Sequence, residues 1–142
     1  METDILDVSV ELVERRTCLY RAGRREGGQG LWYDAEGRET GLIHTLTEGS
    51  AAALPMGPHP VFRADGRRWI STAETLADLG FWFSRNDMIE LVGRGFEVQE
   101  IEVERYRMLH FPGYSHPVFC DEDMIRLAAI DPMAPYALQA AA

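Results

Sequence analysis

The stretch Phe96-Glu97-Val98-Gln99-Glu100-Ile101-Glu102-Val103-Glu104 decides the fold class of this chain. Apolar and polar residues alternate along it, which is typical of a β-strand with one buried face. The apolar positions change phase between Val98 and Ile101. This change predicts a bulge, or a change of the buried face, within one long strand.

Two stretches near the N-terminus, residues 7–13 and 17–22, are also predicted to be strands. Both are short and apolar, and the first alternates with a period of two. Strands outnumber helices along the chain and do not alternate regularly with them. We therefore predict an α+β fold, a single domain with a curved, mainly antiparallel sheet and two or three short helices.

The helices are predicted from their starting residues. Ser71-Thr72-Ala73-Glu74 matches a capping box, so one helix is expected to begin at Ser71. A second is expected from Ser84 and to end at Gly93 and Gly95. A short helix over residues 121–129 follows.

The chain length of 142 residues fits one domain. Residues 1–130 are expected to form the globular part, and residues 131–142 a flexible tail. No apolar run reaches the roughly 20 residues of a membrane span, and the acidic start does not resemble a signal peptide. Cys18 and Cys120 are too few for a disulfide scaffold, so we expect a cytoplasmic protein.

The net charge of −9 disfavours binding to nucleic acid or to an anionic membrane, because both need a basic surface. All 14 basic residues are arginine. The absence of lysine excludes a Schiff base and a P-loop. A bound phosphate or carboxylate would therefore be held by arginine side chains or backbone amides.

Arg21 is the first candidate binding residue. It lies among apolar residues of a predicted strand, directly before a loop that contains Gly27, Gly28 and Gly30. A buried guanidinium needs an anionic partner, because it does not lose its charge. That partner is either a carboxylate of the protein or a ligand phosphate, which the glycine amides would also contact.

Hydroxyl and carboxylate groups supply further candidates. Ser71 and Thr72 follow a predicted strand, and their hydroxyls could cap a helix or orient a ribose or an amide. Glu100, Glu102 and Glu104 share one side of a strand. That side is either a solvated face or the lining of a cleft, where a carboxylate would stabilise a cationic transition state or bind ribose hydroxyls.

His110, His116, Cys120 and Asp121 are residue types that suit zinc. Their spacing matches no known metal signature, and we expect no metal. The run Phe81-Trp82-Phe83 lies on one predicted helix, where three successive aromatic side chains cannot all face inward. One of them is therefore a candidate contact with a partner protein.

Several stretches resemble a group of small uncharacterised proteins of phages and phage-rich bacterial genomes. They are Leu19-Tyr20-Arg21, Gln29-Gly30-Leu31-Trp32-Tyr33-Asp34 and Thr40-Gly41-Leu42-Ile43-His44, with residues 54–56, 70–76 and 82–84 in the same pattern. The resemblance covers most of residues 18–107. The group is uncharacterised, so the resemblance adds little functional knowledge; the role that we expect, in the conflict between phages and bacteria, belongs to the functional hypotheses below.

A second resemblance rests on the order of Arg21, Ser71-Thr72 and Glu100-Ile101-Glu102. This order is similar to that in the arginine-serine-glutamate class of ADP-ribosyltransferases. The resemblance implies that Arg21 meets the NAD pyrophosphate, Ser71 shapes the nicotinamide pocket, and Glu102 holds the ribose hydroxyl. Glu100 would be the acceptor-side glutamate. Ala73 departs from the Ser-Thr-Ser pattern of that class.

Two functional hypotheses follow. The first is an NAD-type cleft between the Arg21 strand and the glutamate strand, with Ser71, Thr72 and Gly30 as further binding residues. In that cleft ADP-ribosyl transfer would pass through an oxocarbenium-like state stabilised by Glu102. The alternative is a non-catalytic phage-type inhibitor that binds a bacterial defence protein, such as an anti-CRISPR protein. The partner is thus a nucleotide or a bacterial protein.

Overall fold

The computed structural model describes residues 9–24, 45–46, 69–111 and 114–140. Within these residues seven strands form: β1 (Ser9–Val13), β2 (Thr17–Gly23), β3 (Ile70–Ser71), β4 (Glu97–Val103), β5 (Tyr106–Phe111), β6 (Tyr114–Phe119) and β7 (Met124–Ile130). Three helices accompany them: α1 (Leu76–Trp82), α2 (Arg85–Gly93) and α3 (Ala134–Ala140). The predicted α+β class is confirmed.

Two antiparallel sheets account for the described strands. One has the order β1-β5-β6-β3 and the other the order β2-β4-β7. Tyr20 of β2 and Ala73, just after β3, exchange backbone hydrogen bonds of 2.9 and 2.6 Å. This bridge joins the two sheets edge to edge, so each face of one sheet is continuous with a face of the other. We call the face that carries Ile70 and Ile101 the inner face, and the face that carries Ala73 and Val98 the outer face.

Strand β4 has buried apolar residues on both faces, and this explains the change of phase in its sequence. Val98 lies on the outer face, in an apolar cluster with residues of the helices such as Leu79 and Leu91. Ile101 and Val103 lie on the inner face, where the two sheets pack together. The predicted change of face is therefore correct. The one irregularity in the pairing of β4 lies further along, between Glu102 and Val103 against β7.

The inner face carries an apolar core contributed by both sheets. Its buried members are Leu19, Ile70, Ile101, Val103, Tyr106, Met108 and Phe119. The outer-face core joins the start of β4 to the helices. Its largest members include Leu79, Phe83, Met88, Leu91 and Phe96. Burial of these side chains stabilises the packing of the two sheets on the inner face and of the helices on the outer face.

The start of helix α1 differs from the prediction. Thr75 is its N-cap, and the Thr75 hydroxyl accepts a hydrogen bond of 3.1 Å from the Asp78 amide. Ser71 does not cap a helix, because it lies in β3 and pairs with Val118. The prediction of a helix from Ser71 is therefore wrong. Ser71 pairs with a strand instead, and the helix starts at Thr75-x-x-Asp78, a second capping sequence four residues later.

Helix α2 begins as predicted. Ser84 is its N-cap and accepts a hydrogen bond of 3.1 Å from the Asp87 amide. The chain leaves the helix through Gly95, whose φ of 89° lies in the left-handed region that glycine adopts without strain.

The C-terminal part also differs from the prediction. Asp121–Asp123 form one 3-10 turn, and the helix expected over residues 121–129 is strand β7. This prediction is wrong because Met124–Ile130 pairs with the free edge of β4, which a helix would leave without backbone partners. Within the expected tail, α3 places the buried Tyr136 against the outer-face core.

Among the described residues, no helix combines the length and the apolar content needed to cross a membrane.

The Tyr136 hydroxyl anchors α3 to the connection between α1 and α2. It donates to the Phe83 carbonyl at 2.7 Å and also lies 3.2 Å from the Ser84 carbonyl. We expect Tyr136→Phe to lower the free energy of unfolding by about 1 kcal/mol, because it leaves a buried acceptor without its donor. Urea denaturation checks this.

Tyr20→Phe is the matched control, since the Tyr20 hydroxyl donates to the part-buried Glu100. Its effect should be smaller than that of Tyr136→Phe. Equal effects of the two substitutions would contradict an anchoring role for Tyr136.

Candidate functional site

The strand register separates the residues of the predicted NAD cleft. Arg21 pairs with Gln99, whereas Glu100 pairs with Tyr20. Side chains of paired residues lie on the same face of a sheet, and successive residues alternate between faces. Arg21 therefore lies on the inner face, and Glu100 and Glu102 lie on the outer face. The sheet itself stands between the guanidinium and the two carboxylates.

The two hydroxyl residues are separated in the same way. Ser71 pairs with Val118 on the outer face. Thr72 lies on the inner face, and the Tyr20–Ala73 bridge places it opposite Arg21. The structure thus brings Thr72 beside Arg21 and places Ser71 on the face of the two glutamates. Gly30 lies outside the described residues.

Arg21 is packed into the protein. Only 7% of its surface is exposed, and its guanidinium lies directly over Gly23. A Cβ atom at position 23 would lie 2.7 Å from Arg21 Nη2. The neighbouring Gln99 is fully buried and donates to Glu97 at 3.2 Å, and Gln99 Oε1 accepts no hydrogen bond from the described part of the chain. This end of the inner face is therefore polar as well as buried.

The two glutamates on the outer face belong to a network of ion pairs. Arg126 lies 3.4 Å from a Glu100 oxygen and 3.6 Å from a Glu102 oxygen. The other Glu102 oxygen lies 3.5 Å from Arg16, and the other Glu100 oxygen accepts from the Tyr20 hydroxyl at 3.2 Å. Both arginines are at least half exposed. This is the arrangement of a solvated sheet face, the first of the two interpretations of the glutamate pattern.

The thiol beside this network is a poor nucleophile. Burial raises the pKa of Cys18, and the negative charges of Glu100 and Glu102 raise it further. Burial and Glu100 likewise raise the pKa of Tyr20. Both groups therefore stay protonated at neutral pH, so this surface presents arginines and paired carboxylates rather than a reactive anion. Sequence reasoning missed Arg126 because it lies on β7, which was predicted to be helical.

Ser71 has a different partner from the one the sequence predicts. Its Oγ lies 2.7 Å from Nε2 of His116, and the imidazole stacks on the Trp82 ring with 5.0 Å between centroids. His116 is completely buried, and this burial lowers its pKa to about 3. The imidazole is therefore neutral throughout the physiological range. Its contact with Ser71 links the side chains of the neighbouring strands β6 and β3.

His110 lies on the opposite face from His116. Its Nδ1 is 2.8 Å from the Ser115 hydroxyl, and its Nε2 is 2.8 Å from Glu11 Oε1. The histidines of the zinc alternative thus project to opposite sides of the β5–β6 hairpin. The described ranges contain no group of three or more histidine, cysteine, aspartate or glutamate side chains that could hold a metal ion.

The aromatic run on α1 divides between core and solvent, as its sequence predicts. Phe83 is buried, Trp82 is partly buried, and Phe81 is 73% exposed. On α2, Ile89 and Val92 are 54% and 41% exposed. These two residues are three positions apart and therefore adjacent on one helix face. We call Phe81, Ile89 and Val92 the helical patch.

The buried His116 makes stability depend on pH. An unfolded histidine takes up a proton below about pH 6.5, whereas the folded one stays neutral to about pH 3. The unfolding free energy should therefore fall as the pH drops from 6.5 towards 3, with a limiting slope of about 1.4 kcal/mol per pH unit from this group. His116→Gln should remove that part of the slope in urea titrations between pH 6.5 and 4.5.

Val10→Ser, a change of an exposed side chain that does not titrate, is the control and should leave the slope as it is. An unchanged slope in His116→Gln would show that other groups cause the acid sensitivity.

Comparison with protein-family models, with curated proteins and with solved structures finds no match for this chain.

Proposed function

We propose that this chain is a binding protein that docks onto a basic surface of a partner protein, with the helical patch as the centre of the contact. The observation that carries the proposal is the exposure of Phe81, a large aromatic side chain with 73% of its surface in solvent. Exposed aromatic residues of this size are typical anchors of protein–protein interfaces.

The exposed apolar side chains of the next helix also support an interface. Ile89 and Val92 add two further exposed apolar side chains on the next helix. Ser84 caps α2, and Tyr136 bonds the backbone between the two helices, so both helices are held in place before a partner arrives. A rigid patch loses little conformational entropy when it binds.

The charge of the chain indicates the chemistry of the partner. The net charge is −9. Within residues 74–94, which include the helical patch, Asp87 is buried and Glu90 pairs with Arg94. Glu74 and the partly exposed Asp78 therefore face solvent there against Arg85. Asp78 lies one helical turn before Phe81. Acidic groups around an apolar centre attract a surface rich in arginine and lysine and accelerate the encounter.

The resemblance to small phage and bacterial proteins favours a bacterial protein as the partner. We propose the conflict between phages and bacteria as the setting, and a bacterial defence protein as the partner. Many such proteins handle nucleic acid, which requires the basic surface that an acidic inhibitor would cover.

ADP-ribosyl transfer stays a prediction from the sequence, and we rank it second. It requires Arg21 and Glu102 to reach one NAD molecule. Their side chains project from opposite faces of one sheet, and Glu102 is engaged by Arg16 and Arg126. The geometry of the described residues supports docking better than catalysis in this cleft.

Phe81→Ser should weaken binding to the partner protein by about 30-fold, because loss of an interface anchor costs at least about 2 kcal/mol. The partner is first captured from a bacterial lysate, then purified and titrated by calorimetry against each variant. Binding should also weaken as salt rises from 0.1 to 0.5 M, since the contact is partly electrostatic.

The matched control is Val10→Ser, which removes another exposed apolar side chain, on β1. It should leave the affinity within about twofold. Equal losses in the two variants, or a complex insensitive to Phe81→Ser, would refute the helical patch as the interface.

Thermal denaturation with NAD separates the two functions. A ligand at about 100 times its dissociation constant stabilises its protein by about 2.7 kcal/mol. We expect no shift with NAD for the unchanged chain. A clear shift that Glu102→Gln abolishes, together with NAD cleavage, would restore the ADP-ribosyltransferase hypothesis.

A further inference from the structure

We propose that Ser115, His110 and Glu11 form a nucleophilic site that accepts the acyl group of a carboxylic ester. His110 Nδ1 lies 2.8 Å from the Ser115 hydroxyl, and His110 Nε2 lies 2.8 Å from Glu11 Oε1. A serine, an imidazole and a carboxylate joined in this order are the three parts of an activated nucleophile. This proposal goes beyond the docking function and does not depend on it.

Three strands place these residues. Ser115 of β6 is the direct cross-strand partner of His110 on β5. On the other side of β5, β1 pairs Ser9 with His110 and Glu11 with Met108, so Glu11 is diagonal to the imidazole on the same face. Paired and diagonal side chains of one face are within reach of each other. The site therefore depends on backbone pairing rather than on a loop.

The carboxylate determines the position of the protons. An ionised Glu11 only accepts hydrogen bonds, so Nε2 of His110 must carry the proton that faces it. In the neutral tautomer that matches this contact, Nδ1 is the acceptor and the Ser115 hydroxyl donates to it. The serine proton thus already points at the base that would receive it. The two ring nitrogens exchange the roles that they have in serine proteases.

The groups are also accessible to a substrate. The side chains of His110 and Glu11 are 41% and 62% exposed, and Ser115 is exposed as well. His116, by contrast, is buried, so an ester could not approach its pair with Ser71 from the imidazole side. We therefore assign the reaction to Ser115 and not to Ser71.

The reaction balances without a cofactor. Ser115 Oγ attacks the ester carbonyl carbon while its proton moves to His110 Nδ1. Glu11 stabilises the resulting imidazolium through the Nε2 hydrogen. The tetrahedral intermediate expels the alcohol, which takes the proton from Nδ1 and leaves an acyl-serine. Water then releases the carboxylic acid by the same proton transfers, and the free serine is regenerated.

The experiment uses the full chain, p-nitrophenyl acetate as the ester and a fluorophosphonate as the covalent probe. We expect a burst of p-nitrophenol, and a single phosphonylated peptide that contains Ser115. Ser115→Ala should abolish labelling and lower ester hydrolysis about 100-fold or more, to the rate in buffer. His110→Gln should do the same, and Glu11→Gln should lower the rate about 10-fold.

Ser9→Ala is the matched control, because Ser9 is the other cross-strand partner of His110. It should keep both the labelling and the rate within about twofold. All four substitutions change exposed side chains, so they should leave folding intact. No labelling of the unchanged chain, labelling at another residue, or a Ser115→Ala rate equal to that of Ser9→Ala would each overturn the proposal.

Discussion

The fold depends on the pairing of β4 with a neighbour along each of its edges. Strand β2 lies on one side and β7 on the other. Part of each face of β4 is covered as well, by the opposite sheet over Ile101 and Val103 and by the helical layer over Val98. Each residue of this strand therefore lies either on the buried inner face or on the outer face, which is buried at Val98 and solvated at Glu100 and Glu102. Because side chains alternate between the two faces, the register of the strand determines which other side chains each residue can contact.

That constraint governs which chemistry the sheet can assemble. Arg21 and Glu102 follow the right order in the sequence, yet they differ in the face on which they lie. The alternation of Glu100 and Glu102 is readable from the chain, and so is the isolation of Arg21 among apolar residues. What the sequence does not contain is the register of β2 against β4. A shift of one residue would have put the guanidinium and the carboxylates on one face.

The sequence predicts correctly those elements that depend on interactions between residues close in the chain. The alternation of β4 and the Ser84 cap of α2 are examples, because each depends on residues close in the chain. Residues 71–74 failed as a cap since β6 offers backbone partners to Ser71. Met124–Ile130 is compatible with helix or strand, and the edge of β4 decides between them. The contact of His110 with Glu11 joins residues 99 positions apart, which only strand order reveals.

The contact between Arg21 and Gly23 couples the evolution of these two positions. The guanidinium occupies the volume that a side chain at position 23 would need. A larger residue at position 23, introduced while Arg21 is present, would displace the buried Arg21 guanidinium, which has no neutral form at cellular pH. Replacement of Arg21 by a short side chain would have to come first or together with it. In saturation mutagenesis the two sites should therefore show strong epistasis, with tolerated pairs that neither single substitution reveals.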